Sequence, residues 1–330
     1  MLFQGKNGPL LIAEIGGNHE GHFDIAVKQT KLAIASGCDV VKFQMYKGYS
    51  LVNPKEDYER FKHFQKFELT KYQYIKLAEI CEKNKVIFSA SIWDIEMIEW
   101  VDSYLKFYKI GSGDLTALPI LNEFARRKKP IILSTGLSNL KEVKTSVNFL
   151  RKKSSFYNKK NNIVIMQCTS CYPCNNSDLN LNVIDNYKSK FNYIIGYSDH
   201  SIGNLALLIA YVKGAQVLEF HFTDNKNKGF RDHKVSLDSE DLKKLIIEIK
   251  KINQMVGDYK KKPTKNEIKS GHIKSFRRSL YLKKDIKKGE RINLKDLVAL
   301  RPEHSTKPIY FERFKKKIYA RKNYKKFDRI

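Results

Sequence analysis

The chain has 330 residues, 42% of them apolar, and its 62 Lys and Arg outweigh 35 Asp and Glu to give a formal charge of +27. That apolar content supports a filled core and argues against disorder, while no apolar run reaches the ~20 residues a membrane span requires. The positive charge is no nucleic-acid footprint: from Tyr259 to Ile330, 25 Lys and Arg stand against 7 Asp and Glu, dispersed through ordinary sequence without helix-turn-helix or zinc-finger spacing.

The N-terminal Met1-Leu2-Phe3-Gln4-Gly5-Lys6 lacks the long apolar core of a signal peptide, so a cytoplasmic location is expected. Short β-rich runs then alternate with longer amphipathic segments. Strands are expected at residues 10–15, 40–45, 86–91, 107–112, 130–135, 163–168, 193–197 and 217–222. Helices are expected at 23–36, 71–83, 139–152, 204–213 and 239–256. In the last of these, Leu242, Leu245, Ile246, Ile249 and Ile252 recur at helical spacing, as for a helix covering a sheet. Eight βα units in residues 1–257 predict a closed (β/α)8 TIM barrel, whose chemistry sits at the C-terminal ends of the strands.

Beyond Gly257 a polar linker is expected over residues 258–275, with Lys260-Lys261-Lys262-Pro263 in it. A small β-rich domain is expected over 276–330, too thin-cored to stand without support from a barrel.

The predicted strand ends carry one chemistry: Glu14; Lys42 and Gln44; Ser89 and Ser91; Lys109, Ser112 and Asp114; Ser134 and Thr135; Thr169, Ser170 and Tyr172; Ser198 and His200; Glu219 and His221. Two lysines inside barrel strands need anionic partners, because a buried unpaired ammonium is costly. Converging ammonium and hydroxyl groups suit a ligand bearing both phosphate and carboxylate. In the eighth strand Glu219 and His221 alternate with Phe220 and Phe222, so the period of two turns the polar pair to the lumen. Two imidazoles, His200 and His221, with positions left for water and substrate, suit a divalent ion of the Mn2+, Co2+ or Zn2+ class. Asp114, Asp199 or Asp232 would fill or orient its shell. The odd count of five cysteines, three of them at 168, 171 and 174, gives neither a disulfide framework nor a four-cysteine cluster.

Taken together, Ala13-Glu14-Ile15-Gly16-Gly17-Asn18-His19-Glu20-Gly21, Val41-Lys42-Phe43-Gln44, Tyr108-Lys109-Ile110-Gly111-Ser112-Gly113-Asp114 and Leu133-Ser134-Thr135-Gly136 resemble the N-acetylneuraminate (sialic acid) synthase family. Gln167-Cys168-Thr169-Ser170-Cys171-Tyr172-Pro173, Gly196-Tyr197-Ser198-Asp199-His200 and Glu219-Phe220-His221-Phe222-Thr223 extend the resemblance in order through the barrel. Arg277-Arg278-Ser279-Leu280, the turn at residues 284–290 and Leu300-Arg301-Pro302 are similar to that family's C-terminal antifreeze-like (SAF) domain.

The resemblance implies condensation of phosphoenolpyruvate with the open-chain aldehyde of an N-acetylated hexosamine, giving a nonulosonic acid and phosphate. The product would be N-acetylneuraminic acid or a legionaminic, pseudaminic or other sialic-like acid. It further implies His200 and His221 as ligands of Mn2+, or of Mg2+ or Co2+. Lys42, Ser91, Lys109, Ser112, Ser134 and Ser198 would hold phosphoenolpyruvate. Glu14 and Asp114 would act as acid and base. Gln44, Ser170, Tyr172 and Asp232 would contact substrate, and Arg301 would reach the sugar in the partner barrel of a domain-swapped homodimer. Two competing expectations are a Schiff-base aldolase using Lys42 or Lys109, and a nucleic-acid-binding protein using the basic C-terminal region.

Overall fold

A computed structural model describes residues 2–330, which form two compact units, one ending at Gly257 and one running from Asp258 to Ile330. The first is a closed barrel of eight parallel strands in sequential order: β1 (Leu10–Glu14), β2 (Val40–Met45), β3 (Ile87–Ile92), β4 (Tyr108–Ile110), β5 (Ile131–Ser134), β6 (Ile163–Cys168), β7 (Ile194–Asp199) and β8 (Val217–His221). The closing pair aligns Glu14 of β1 with His221 of β8. The predicted (β/α)8 barrel is therefore the observed one.

Alternation along the strands sorts the side chains into an outer and an inner set. Leu11, Ala13, Val41, Phe43, Leu133, Ile165, Tyr197, Leu218 and Phe220 pack outward with the buried faces of the surrounding helices. The inner set divides by height. Leu10, Ile12, Val40, Phe107, Ile132, Val164, Ile194 and Val217 fill the lower lumen, joined by Phe3, whose ring lies 5.5 Å from that of Phe107. An N-terminal turn brings Phe3 there. Gly5 bridges Gly8, and the Asp39 carboxylate accepts from the backbone N–H of Lys6 and of Leu11, each at 3.0 Å. Two residues higher along the strands the lumen becomes polar, with Glu14, Lys42, Ser91, Lys109, Ser134, Ser198 and Glu219, all buried. Gly196 is required between the layers, because a Cβ there would lie 2.8 Å from the Val217 carbonyl oxygen.

The helices start where capping chemistry puts them. Thr70 with Gln73 opens Lys71–Lys83, Asn139 with Glu142 opens Leu140–Lys153, and Asp238 with Asp241 opens Ser239–Val256. The last buries Leu242, Leu245, Ile246 and Ile249. Two connections differ from a simple βα repeat. Between β2 and β3 the chain inserts an additional helix, Tyr58–Lys66. Between β3 and β4 it makes only short 3-10 turns around the four-residue helix Ile98–Val101. The fourth strand is shorter than expected, because Ser112–Asp114 turns into a 3-10 helix.

The second unit has its own core of Leu280, Leu282, Ile286, Ile292, Leu297, Phe314 and Ala320. Antiparallel pairing joins Ser279–Leu282 to Leu297–Leu300, and Arg291–Ile292 to Ile318–Tyr319. These small sheets fit an SAF-like domain. The segment expected as a polar linker carries two five-residue helices, Lys265–Lys269 and His272–Phe276. The first is nucleated by a Thr264–Glu267 capping box that its Lys-rich composition obscures. Among the described residues no helix is long and apolar enough to cross a membrane.

Candidate active site

The polar upper lumen opens into a cavity of about 940 Å³ at the C-terminal ends of the strands. Glu14, Lys42, Gln44, Ser91, Lys109, Ser112, Asp114, Ser134, Ser170, Tyr172, Ser198, His200, Glu219, His221 and Asp232 all line it. Arg301 belongs to the C-terminal unit, where its guanidinium lies over the Phe276 ring at 5.3 Å.

On the cavity floor, acids and ammonium groups alternate. Lys42 pairs with Glu14 and lies 3.8 Å from Glu219, which in turn lies 3.3 Å from Lys109. Hydroxyls complete the chain. Lys42 donates to Ser91 Oγ at 3.3 Å, Lys109 donates to Ser134 Oγ at 2.8 Å, and Ser198 donates to Glu219 Oε1 at 3.0 Å. Burial and the Glu219 charge raise Glu14 above the usual carboxylate range despite the opposing pull of Lys42. Burial would raise Glu219 as well, but Lys109 and Lys42 hold it low. Burial depresses the Lys109 ammonium, whereas for Lys42 the two carboxylates outweigh burial and raise it. Asp114, at the turn after β4, is raised by burial. The floor thus holds two preorganised cations without a large net charge, and an anionic ligand can take over their partners' places.

The two histidines face each other above it, their ring centres 5.4 Å apart. His200 Nδ1 donates to the Thr169 carbonyl oxygen at 2.7 Å, which leaves Nε2 with its lone pair. Cys168 Sγ lies 3.8 Å from the same Nδ1. His221 Nδ1 is buried without a hydrogen-bond partner and lies 3.8 Å from Asp232 Oδ2. Burial lowers the His221 pKa to about 4, keeping the imidazole neutral as a metal ligand must be. At His200 burial pulls the same way, but the hydrogen bonds to Cys168 and the Thr169 carbonyl outweigh it and raise the pKa, so His221 is the ring held unprotonated. Among the described residues no group of three or more His, Cys, Asp or Glu side chains is arranged around a metal position, so water and substrate would complete the shell.

Of the three carboxylates expected around the ion, Asp199 is committed elsewhere. It accepts from Tyr197 Oη at 2.9 Å, from the Ser201 N–H at 2.9 Å and from Ser201 Oγ at 3.1 Å, fixing the turn after β7. Asp232 is the one beside a histidine. Tyr172 packs on the His200 ring at 4.1 Å, with the Arg231 guanidinium 4.8 Å from the Tyr172 ring.

Several lining residues escaped the sequence reading: Cys168, Trp93 and Arg231, and the aromatic side chains of Tyr46, Phe64, Phe67 and Phe230. The density of aromatic residues between Tyr58 and Phe67 was an available signal, since an amphipathic helix over a cavity needs such a face.

The NeuB family model matches residues 30–261. The chain is 37% identical to an N,N'-diacetyllegionaminic acid synthase of Campylobacter jejuni, over 97% of this chain and 98% of that protein. It is 31% identical to a pseudaminic acid synthase of the same species, over 92% and 90%. With the human N-acetylneuraminate-9-phosphate synthase it shares 30% identity over 79% and 74%. A crystal structure of the N-acetylneuraminic acid synthetase of Leptospira borgpetersenii in complex with citrate superposes with a TM-score of 0.72 at 29% identity, covering 81% of this chain and 91% of that one. The chain belongs to the NeuB family of sialic-acid-type synthases.

Proposed function

We propose that this enzyme condenses phosphoenolpyruvate with the open-chain aldehyde of an N-acetylated hexosamine, adding water and releasing phosphate, to give a sialic-type nonulosonic acid. The observation that carries this reading is the pair of buried lysines, each tied to a serine hydroxyl, on the floor beneath two facing histidines. Lys42 and Lys109 hold the phosphate and carboxylate of phosphoenolpyruvate, with Ser91, Ser112, Ser134 and Ser198 supplying hydroxyl donors. Gln44, Ser170, Tyr172 and Asp232 hold the sugar. Lewis-acid polarisation of the aldehyde oxygen is what a divalent ion, Mn2+ before Mg2+ or Co2+, supplies when bound by His200 and His221.

The chemistry balances on the residues present. C3 of phosphoenolpyruvate forms a bond to the aldehyde carbon, and the oxygen there takes a proton through Glu14, which is paired with the Lys42 ammonium. Water adds to C2 and gives a proton to Asp114. The C2–O bond then breaks, phosphate leaves with its electron pair, and the remaining hydroxyl proton departs as C2 becomes a ketone. The same reading includes a homodimer in which Arg301 reaches the sugar held by the partner's barrel. Replacing it with Ala would raise the KM for sugar and leave that for phosphoenolpyruvate unchanged.

The test is phosphate release from phosphoenolpyruvate with Mn2+ and a panel of N-acetylated hexosamines. At least one sugar supports release, and EDTA abolishes it. A folded, Mn2+-loaded protein that releases phosphate with none of them contradicts the proposal.

A further inference from the structure

The segment between β8 and the helix Ser239–Val256 is irregular, yet it carries Asp232 to the cavity, where Oδ2 lies 3.8 Å from His221 Nδ1. Backbone bonds close its two ends. The Thr223 N–H donates to the Leu237 carbonyl at 3.0 Å, and the Leu237 N–H donates to the His221 carbonyl at 2.8 Å. Between those ends the only regular piece is the 3-10 turn Arg231–Val235, so tertiary contacts must hold its side chains.

His233 supplies the hold. Its side chain is sealed from water, and among the described residues that line the cavity Asp232 appears and His233 does not. Both ring nitrogens are nevertheless used. Nδ1 lies 2.7 Å from Thr223 Oγ1 beyond the end of β8, and Nε2 lies 3.2 Å from Glu20 Oε1 in the turn after β1. A neutral ring satisfies both contacts. Nε2–H donates to the carboxylate, while the Thr223 hydroxyl accepts from the Asn225 N–H at 3.1 Å and donates to Nδ1. Burial lowers the His233 pKa and favours this neutral form. A second strut runs beside the first. Asn18 Nδ2 donates to Ser236 Oγ at 2.8 Å, and Ser236 Oγ donates to the Asp232 carbonyl at 2.7 Å.

Glu20 reaches His233 from a strained backbone. Its φ of +51° lies in the left-handed region that residues other than glycine rarely adopt. Such a conformation persists only where its surroundings hold it, and it tends to mark functional sites.

Resting on the condensation reading above, in which Asp232 holds the sugar, we propose that His233 is a positioning residue for the acceptor. Tied to Thr223 and Glu20, it fixes the turn that presents Asp232 and so sets the affinity for a sugar it does not touch. Lys42, Ser91, Lys109 and Ser134 belong to β2, β3, β4 and β5, so phosphoenolpyruvate affinity is independent of the turn.

The experiment measures kcat and both KM values, with Mn2+ and the best N-acetylated hexosamine, for wild type, H233A, H233Q, E20A, the E20A/H233A double variant and F3A. H233A raises the KM for sugar by about 10- to 100-fold, the scale on which a misplacement of ~1 Å acts, and changes the KM for phosphoenolpyruvate by less than about twofold. E20A has a similar effect, and the double variant adds little to either single one, as for residues that act as a unit. H233Q, whose amide can still donate to Glu20, recovers part of the loss. F3A, destabilised at the other end of the barrel, leaves both KM values unchanged. An unchanged sugar KM in H233A overturns the proposal. A parallel rise in both KM values, or H233Q no better than H233A, also overturns it, because each marks a merely structural role. Should H233A not fold, H233Q and E20A give the same comparison. Wild type that releases phosphate with no acceptor refutes the condensation reading, whereas release with a sugar KM indifferent to His233 refutes only the positioning.

Discussion

Lys109 and Glu219 lie 3.3 Å apart on the cavity floor, each side chain almost sealed from water, and neither is explained by the barrel's stability alone. A buried pair of this kind roughly offsets its own desolvation, so its retention points to what the ammonium does when a ligand arrives. Replacing Lys109 with Met removes a cation from the phosphoenolpyruvate site and leaves Glu219 with Lys42 at 3.8 Å. The expected result is a KM for phosphoenolpyruvate raised on the order of 100-fold, as for truncation of one partner of a buried charge pair. The same variant loses about 3 kcal/mol of stability, measured by denaturant unfolding.

The same lysines bear on the Schiff-base alternative. Lys42 is paired with Glu14 and held protonated, so it is not poised as a nucleophile. Borohydride treatment in the presence of pyruvate is expected to leave the protein mass unchanged. A stable adduct on Lys42 or Lys109 would favour the aldolase instead.

Asp224 links the end of the barrel to the helix Phe23–Ser36. It accepts from Lys28 at 2.8 Å, Gln29 at 2.9 Å and Lys228 at 2.9 Å. Burial alone would raise this carboxyl, yet these partners hold it well below the usual carboxylate range. A lowered folded-state pKa contributes stability above the unfolded value of about 4, and the contribution is lost as pH falls through the still lower folded value. D224N is therefore expected to destabilise by about 1–3 kcal/mol at pH 7. Its deficit relative to wild type shrinks only below about pH 4, as unfolding titrations at pH 7 and pH 3 would register.

Phe3 plugs the end of the lumen away from the cavity. F3A removes a buried ring packed 5.5 Å from Phe107 and is expected to cost about 3 kcal/mol, read from denaturant midpoints. Because the plug touches no cavity residue, kcat of the folded variant should be unchanged.

The sequence exposed the barrel and its floor well, for one reason. Strand alternation is strict, so a Lys at 42, a Lys at 109 and the pair Glu219 and His221 on an apolar background had to face the lumen, and a closed barrel brings all strand ends to one mouth. What lay outside that rule was harder to see. Asp199 ends a strand and looks like a metal-shell carboxylate, but its oxygens are taken by Tyr197 and Ser201, a local turn that no periodicity announces. Phe64, Phe67 and Phe230 come from irregular connections whose positions depend on tertiary contacts such as Glu68 with Gly48. The helices within residues 258–276 were hidden by lysine-rich composition, although Thr264 and Glu267 carry a capping signal.

Metal dependence separates the histidines' role from a structural one. H200A and H221A are each expected to abolish phosphate release while retaining cooperative thermal unfolding, and in wild type Mn2+ is expected to restore the activity that EDTA removes. Loss of folding in both variants, with EDTA leaving wild-type activity intact, would assign the pair to the barrel's architecture.

The most direct test of the condensation uses phosphoenolpyruvate carrying 18O in the oxygen that bridges C2 and phosphorus, incubated with Mn2+ and the best N-acetylated acceptor. Cleavage at C2–O is expected, with the label recovered in inorganic phosphate and the new acid carrying an unlabelled C2 oxygen from water. Label retained in the organic product, or no product heavier than the sugar by a three-carbon keto-acid unit, would contradict it.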